Sequence, residues 1–173
     1  MKKFILAMAA LTFSFGVMSA QDLASATATY NSGAEALTMG NKTSALEYFQ
    51  KALTMAESLG EEGAEVVTNC KNAIPSVILS IGKEFYNNKD FSNAKAKFVE
   101  ASEVAKKYGN EEVTAEVESL LPTVGKRIAL AKVNEAMKNK DIAGVLAGYE
   151  EAMAIDTTDA NTALKYGQFL GNA

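Results

Sequence analysis

Apolar residues recur along this chain at intervals of three and four. Between Glu61 and Asn88 the stripe is Val67, Cys70, Ile74, Val77, Ile78, Ile81 and Phe85. Phe91, Ala94, Phe98, Ala101 and Ala105 continue the rhythm after Asp90, and Val113, Val117, Leu120, Val124, Ile128 and Ala131 resume it around Pro122. That spacing keeps side chains on one face of an α-helix, so the chain is expected to be all-α. The first stripe runs through Pro75 without changing face. This favours one kinked helix from about Glu61 to Asn88, with two helices meeting at Pro75 as the alternative, because proline removes a backbone bond and biases the preceding residue away from helix.

One pattern occurs three times. Ala94, Phe98 and Ala101 stand at spacings of four and three; Ala45, Phe49 and Ala52 repeat this upstream, and Val145, Tyr149 and Ala152 downstream. Each set follows a short polar turn ending in Asn41, Asp90 or Asp141, side chains suited to accept from a free N–H at a helix start. The rings are 49 and 51 residues apart, a period that signals stacked helical units, none able to bury its apolar face alone. Gly33 and Gly82 fall inside the first helices of their copies, where glycine costs about 1 kcal/mol against alanine. Such a cost is expected where the neighbouring helix approaches closely, with Phe49 or Phe98 as the large partner.

These residues resemble the tetratricopeptide repeat family, whose units pair a first helix bearing a Leu-Gly-like step with a second bearing Ala, Phe or Tyr, and Ala. The middle copy matches best, through Ile81-Gly82, Phe85, Phe91, Ala94, Phe98 and Ala101; the third keeps Ala136, Ile142, Tyr149 and Ala152, with Val133 where the glycine would be. Ala163, Tyr166-Gly167 and Leu170 resemble the first helix of a fourth copy. The resemblance implies helix-pair repeats, at about 26–60, 61–109 and 110–157, stacked as a short right-handed solenoid with a final helix at 158–170; a compact helical bundle would use the same stripes. It also implies a groove lined by first helices, for a peptide or protein partner. The groove positions are Tyr30, Ala34 and Leu37 in copy one; Ser76, Leu79, Lys83, Tyr86 and Asn87 in copy two; and Arg127, Leu130, Asn134, Met137 and Lys138 in copy three. Lys83, Asn87, Arg127, Asn134 and Lys138 loosely resemble the set with which chaperone-binding members hold a terminal carboxylate.

Composition narrows the chemistry. The chain opens with Lys2 and Lys3, an apolar run from Phe4 to Val17 and small residues ending at Ala20, the plan of a secretory signal peptide covering 1–20. Its removal leaves residues 21–173, with 15 of the 17 basic residues against all 21 acidic ones, a balance that disfavours nucleic acid. Cys70 is the single cysteine and there is no histidine, so no internal disulfide can form and the commonest general base is missing. The Glu61-Glu62, Glu111-Glu112 and Glu150-Glu151 pairs read as solvated charge, because adjacent helical side chains diverge. Asp156-Thr157-Thr158-Asp159 reads as a turn with capping aspartates; it lacks the glycine and distal glutamate of a calcium loop. The expectation is therefore a non-catalytic interaction scaffold of a bacterial periplasm or envelope, requiring no cofactor or metal. Self-assembly, or service as the front domain of a longer envelope protein, are the alternatives.

Overall fold

The computed structural model describes the backbone of residues 2–172 and the side chains of residues 20–171. Among these the chain is all-α, without strands: α1 (Lys2–Thr38), α2 (Lys42–Glu57), α3 (Ala64–Asn87), α4 (Phe91–Tyr108), α5 (Glu111–Lys138), α6 (Ile142–Ile155) and α7 (Ala160–Asn172), with a 3-10 turn at Gly60–Gly63. The expected leader at 1–20 falls almost wholly outside the described side chains. No helix among the described residues is long and apolar enough to cross a membrane. The chain divides into two compact units, Met1–Val77 and Ile78–Ala173, so each holds part of α3.

Both prolines lie inside unbroken helices. The stripe that continues across Pro75 explains the continuity: Ile74, Val77 and Ile78 are all buried, and their packing offsets the backbone bond that proline removes. The helix starts at Ala64 rather than near Glu61, because Gly60, at φ 59°, opens a 3-10 turn first.

The connections α1–α2, α3–α4 and α5–α6 share one construction. Gly40, Lys89 and Lys140 take the left-handed conformation, with φ of 80°, 63° and 56°. The next residue then donates its backbone N–H to the carbonyl five positions back: Asn41 to Ala36, Asp90 to Phe85 and Asp141 to Ala136, each at 2.9 Å. This closes the preceding helix. The same residue opens the following one, its side chain accepting from the N–H of Ser44 (3.1 Å), Asn93 (3.2 Å) or Gly144 (2.9 Å). One residue thus ends a helix and caps its successor, which makes a tight helical hairpin.

Within each hairpin a ring meets a glycine. In the first unit a Cβ on Gly33 would stand 2.8 Å from two carbons of the Phe49 ring; in the second, a Cβ on Gly82 would stand 2.7 Å from the Phe98 ring. Ala45, Ala52, Ala94 and Ala101 are fully buried, and Phe49 and Phe98 nearly so. The third hairpin reverses the device. Val133 occupies the glycine position of the first helix, and the relief moves to α6, where a Cβ on Gly148 would lie 2.6 Å from Val133 Cγ2. Tyr149 and Ala152 remain buried beside it, and Leu130, Tyr166 and Phe169 pack on the cluster of Val133, Ala136, Val145 and Tyr149.

Cys70 is fully buried. Desolvation, with a smaller push from Glu57, raises its thiol pKa to about 11, so the neutral form is held in the core. The native thiol should resist a maleimide at pH 8 and react on unfolding; rapid labelling of native protein would contradict its packing. The ring contacts predict opposite signs for one chemical change. Gly82→Ala gains about 1 kcal/mol of helix propensity but overpacks the ring by about 1–3 kcal/mol, so thermal unfolding should shift down. Gly167→Ala, where an added Cβ meets no atom within 4 Å, should shift it up.

Candidate binding groove along α5

Two adjoining hollows lie along α5 in the second unit. One, of about 460 Å³, is lined by Tyr86, Asn87, Lys89, Phe91, Arg127, Leu130, Ala131 and Asn134. The other, of about 450 Å³, is bounded by Pro122, Lys126, Arg127, Leu130, Ile155, Asp156, Asp159, Thr162 and Lys165, among others. Both fall in the size range that holds small ligands or several side chains of a peptide. They share Arg127 and Leu130, so helices α3, α5 and α7 together line one groove.

Local structure explains the lining. Helical spacing puts Arg127, Leu130, Ala131 and Asn134 on one face of α5, opposite the buried Ala129. Tyr86 packs edge-on against Phe91, with centroids 5.4 Å apart, which presents an aromatic wall. The left-handed turn sets Lys89 beside it. Arg127, Lys89 and Lys165 make no ion pair or side-chain hydrogen bond among the described residues. They form a cationic lining on a chain whose formal charge is −4.

Lys126 is committed elsewhere. Its ammonium donates to Asp156 Oδ2 at 2.8 Å and pairs with Asp159 Oδ2 at 2.5 Å. Asp156 also accepts from the Thr158 hydroxyl and N–H, while Asp159 accepts from the Thr162 hydroxyl and the Asn161 N–H. The Lys126 contact is the main reason that both carboxyls sit below their ordinary range, with Thr158 and Thr162 next. The two aspartates in turn hold the lysine above its own. The capping turn expected from Asp156 to Asp159 is therefore a clasp that ties the start of α7 to α5. No group of three or more His, Cys, Asp or Glu suited to a metal ion occurs among the described residues.

The structure gathers Tyr86, Asn87, Arg127, Leu130 and Asn134, all five expected in the groove, into one lining. It separates others. Leu79 is 3% exposed: three residues before Gly82, it turns into the packed face beside Ile78 rather than toward solvent. Lys83 is paired with Glu116 at 2.6 Å and lies outside the lining, as do the exposed Met137 and Lys138. Tyr30 tilts against Phe49 at 5.1 Å and lines a separate hollow with Glu62, Glu65 and Val66 in the first unit; Leu37 lies exposed near the end of α1. The loose carboxylate-holding set of five is thereby reduced to Asn87, Arg127 and Asn134. Sequence reasoning missed Lys89, Phe91 and Lys165. Lys89 was accessible to it, because it stands where the first copy has Gly40.

No protein-family model matches the chain, and no curated protein matches it in sequence.

The clasp predicts a pH response with a defined sign. Carboxyls whose folded pKa is depressed contribute stability that is complete above the unfolded value, about 3.8, and is lost as pH falls through the folded one. Amide exchange at the start of α7, relative to the rate of a free chain at the same pH, should therefore quicken below about pH 4, ahead of the α5–α6 core. Lys126→Met should quicken it already at pH 7 and flatten the acid response; an unchanged response in that variant would refute the clasp.

Proposed function

We propose that this chain is an exported, non-catalytic scaffold of the tetratricopeptide-repeat type, whose groove along α5 binds an extended segment of a protein partner. The observation that carries the reading is the lining itself. An unpaired Arg127 lies between an aromatic wall (Tyr86 and Phe91) and an apolar floor (Leu130), with amides from Asn87 and Asn134 in the same hollow. Such a surface suits a peptide that offers carboxylate groups to the cation and an apolar side chain to the ring. Charge-assisted bonds from arginine are about twice as strong as neutral ones and can be bidentate. The repeated hairpins support the repeat assignment, and the basic, apolar and small-residue order of 1–20 supports export.

The experiment is crosslinking from a photoreactive residue at position 131, followed by identification of the captured segment and titration of that segment as a synthetic peptide. Arg127→Glu should weaken its binding at least tenfold, since hydrogen bonds to charged groups contribute about 1.5–3 kcal/mol, without lowering the melting temperature. Affinity should also fall with added salt. Binding indifferent to Arg127→Glu and to Tyr86→Ala would refute the groove as the binding surface.

A further inference from the structure

Removal of residues 1–20, the leader read from the sequence, hydrolyses the Ala20–Gln21 bond and makes Gln21 the first residue of the chain. Ala20, Gln21 and Asp22 are all exposed. Leu23 alone of residues 20–25 is half-buried, and Ala26, at 0% exposure, is the first buried residue of α1 among the described ones. The Ser25 hydroxyl donates to the backbone carbonyl of Gln21 at 2.9 Å. The side-chain amide of Gln21 takes part in no hydrogen bond among the described residues. Cleavage therefore leaves a free α-amine on a residue whose own side-chain carbonyl carbon, Cδ, is unengaged. Attack of that nitrogen on Cδ closes an unstrained five-membered ring.

We propose that the exported chain carries a pyroglutamate at position 21, formed by cyclisation of Gln21. The inference rests on the export reading above, because only leader removal frees the amine. In the step, the neutral α-amine attacks Cδ of the same residue. The N–Cδ bond forms, the Cδ–Nε2 bond breaks, and ammonia departs with a proton from the amine; no oxidant, reductant or metal is consumed. An α-amine titrates at about 7.7–8.0, so near pH 8 a large fraction is the neutral nucleophile. The product also suits the helix. An ammonium at the start of α1 would face the positive end of its dipole, and the lactam removes that charge. Asp22 is the one charged side chain over residues 21–28, and an acid in a first turn is favourable by itself. The consequence is protection. Trimming from a free amine would cross only the exposed stretch before Ala26, on the helix that carries Gly33 to the Phe49 ring. A lactam offers an aminopeptidase no amine to engage.

The test is the mass of the chain after export. The full precursor, residues 1–173, is produced in a bacterium and recovered from its envelope fraction. It is then held at pH 8 beside a synthetic peptide Gln-Asp-Leu-Ala-Ser, the sequence of residues 21–25, until the peptide has cyclised fully. The protein should begin at position 21, weigh one ammonia less than residues 21–173, and resist an aminopeptidase until a pyroglutamyl peptidase removes the ring. Gln21→Ala cannot cyclise; it should keep its amine and be trimmed, with the melting temperature before trimming unchanged. A chain that begins at Gln21 with its full mass, beside a fully cyclised peptide, would overturn the proposal and leave export standing. Trimming of the parent as fast as of Gln21→Ala would overturn it too. A chain that begins at another residue, or keeps residues 1–20, would overturn both the proposal and the leader reading beneath it.

Discussion

A ring seated where a Cβ would be is the contact on which the hairpins depend. Two helices joined by so tight a turn must lie close, and their separation is set by the bulkiest pair that faces across it. In the first and second hairpins that pair is glycine and phenylalanine, and the alanines one turn to either side of the ring keep the approach close along its length. Because protein interiors pack near crystal density, such a fit is two-sided: a methyl added under the ring forces a shift, and a smaller ring leaves a void. The third hairpin shows that the constraint is on the pair rather than on one helix. Val133 fills the space that glycine leaves open elsewhere, and Gly148 on the opposite helix yields it.

The turns enforce that proximity. Asn41, Asp90 and Asp141 each close one helix through a backbone N–H and open the next through a side-chain oxygen, which fixes the register between ring and glycine. Lys89 and Lys140 adopt at these turns a left-handed conformation that side chains with a Cβ take up reluctantly. At Lys89 the same geometry sets a cation at the edge of the groove. The turn that builds the hairpin therefore also furnishes the surface, to which α5 adds Arg127, Leu130, Ala131 and Asn134.

Features with a local cause were legible in the sequence. The helical stripes, the caps and the two ring-bearing glycines all follow from residue type and spacing along a single helix. The passage of α3 and α5 through Pro75 and Pro122 was legible too, because the apolar stripe keeps its face on both sides. What escaped depends on partners distant in the chain. Lys83 looks like a free groove cation until Glu116, 33 residues on, neutralises it. Lys126 and the Asp156–Asp159 turn form a clasp across a gap of 30 residues that no motif announces. Leu79 misled because transferring a groove position from a family pattern ignores a rotation of one residue, which on a helix is 100° and decides between core and solvent. The reversal at Val133 and Gly148 was half visible: the missing glycine showed, but not where its compensation lay.

The central claim is that Gly82 is glycine because of Phe98, and a double-mutant cycle on thermal or urea unfolding measures this directly. If the ring is the obstacle, Gly82→Ala destabilises the parent but becomes neutral or stabilising in a Phe98→Leu background, leaving a coupling energy within the range of about 0.5–3 kcal/mol seen for side chains in contact. If Gly82→Ala changes stability by the same amount with and without the ring, the two positions are independent, and the account of how these hairpins are held together is wrong.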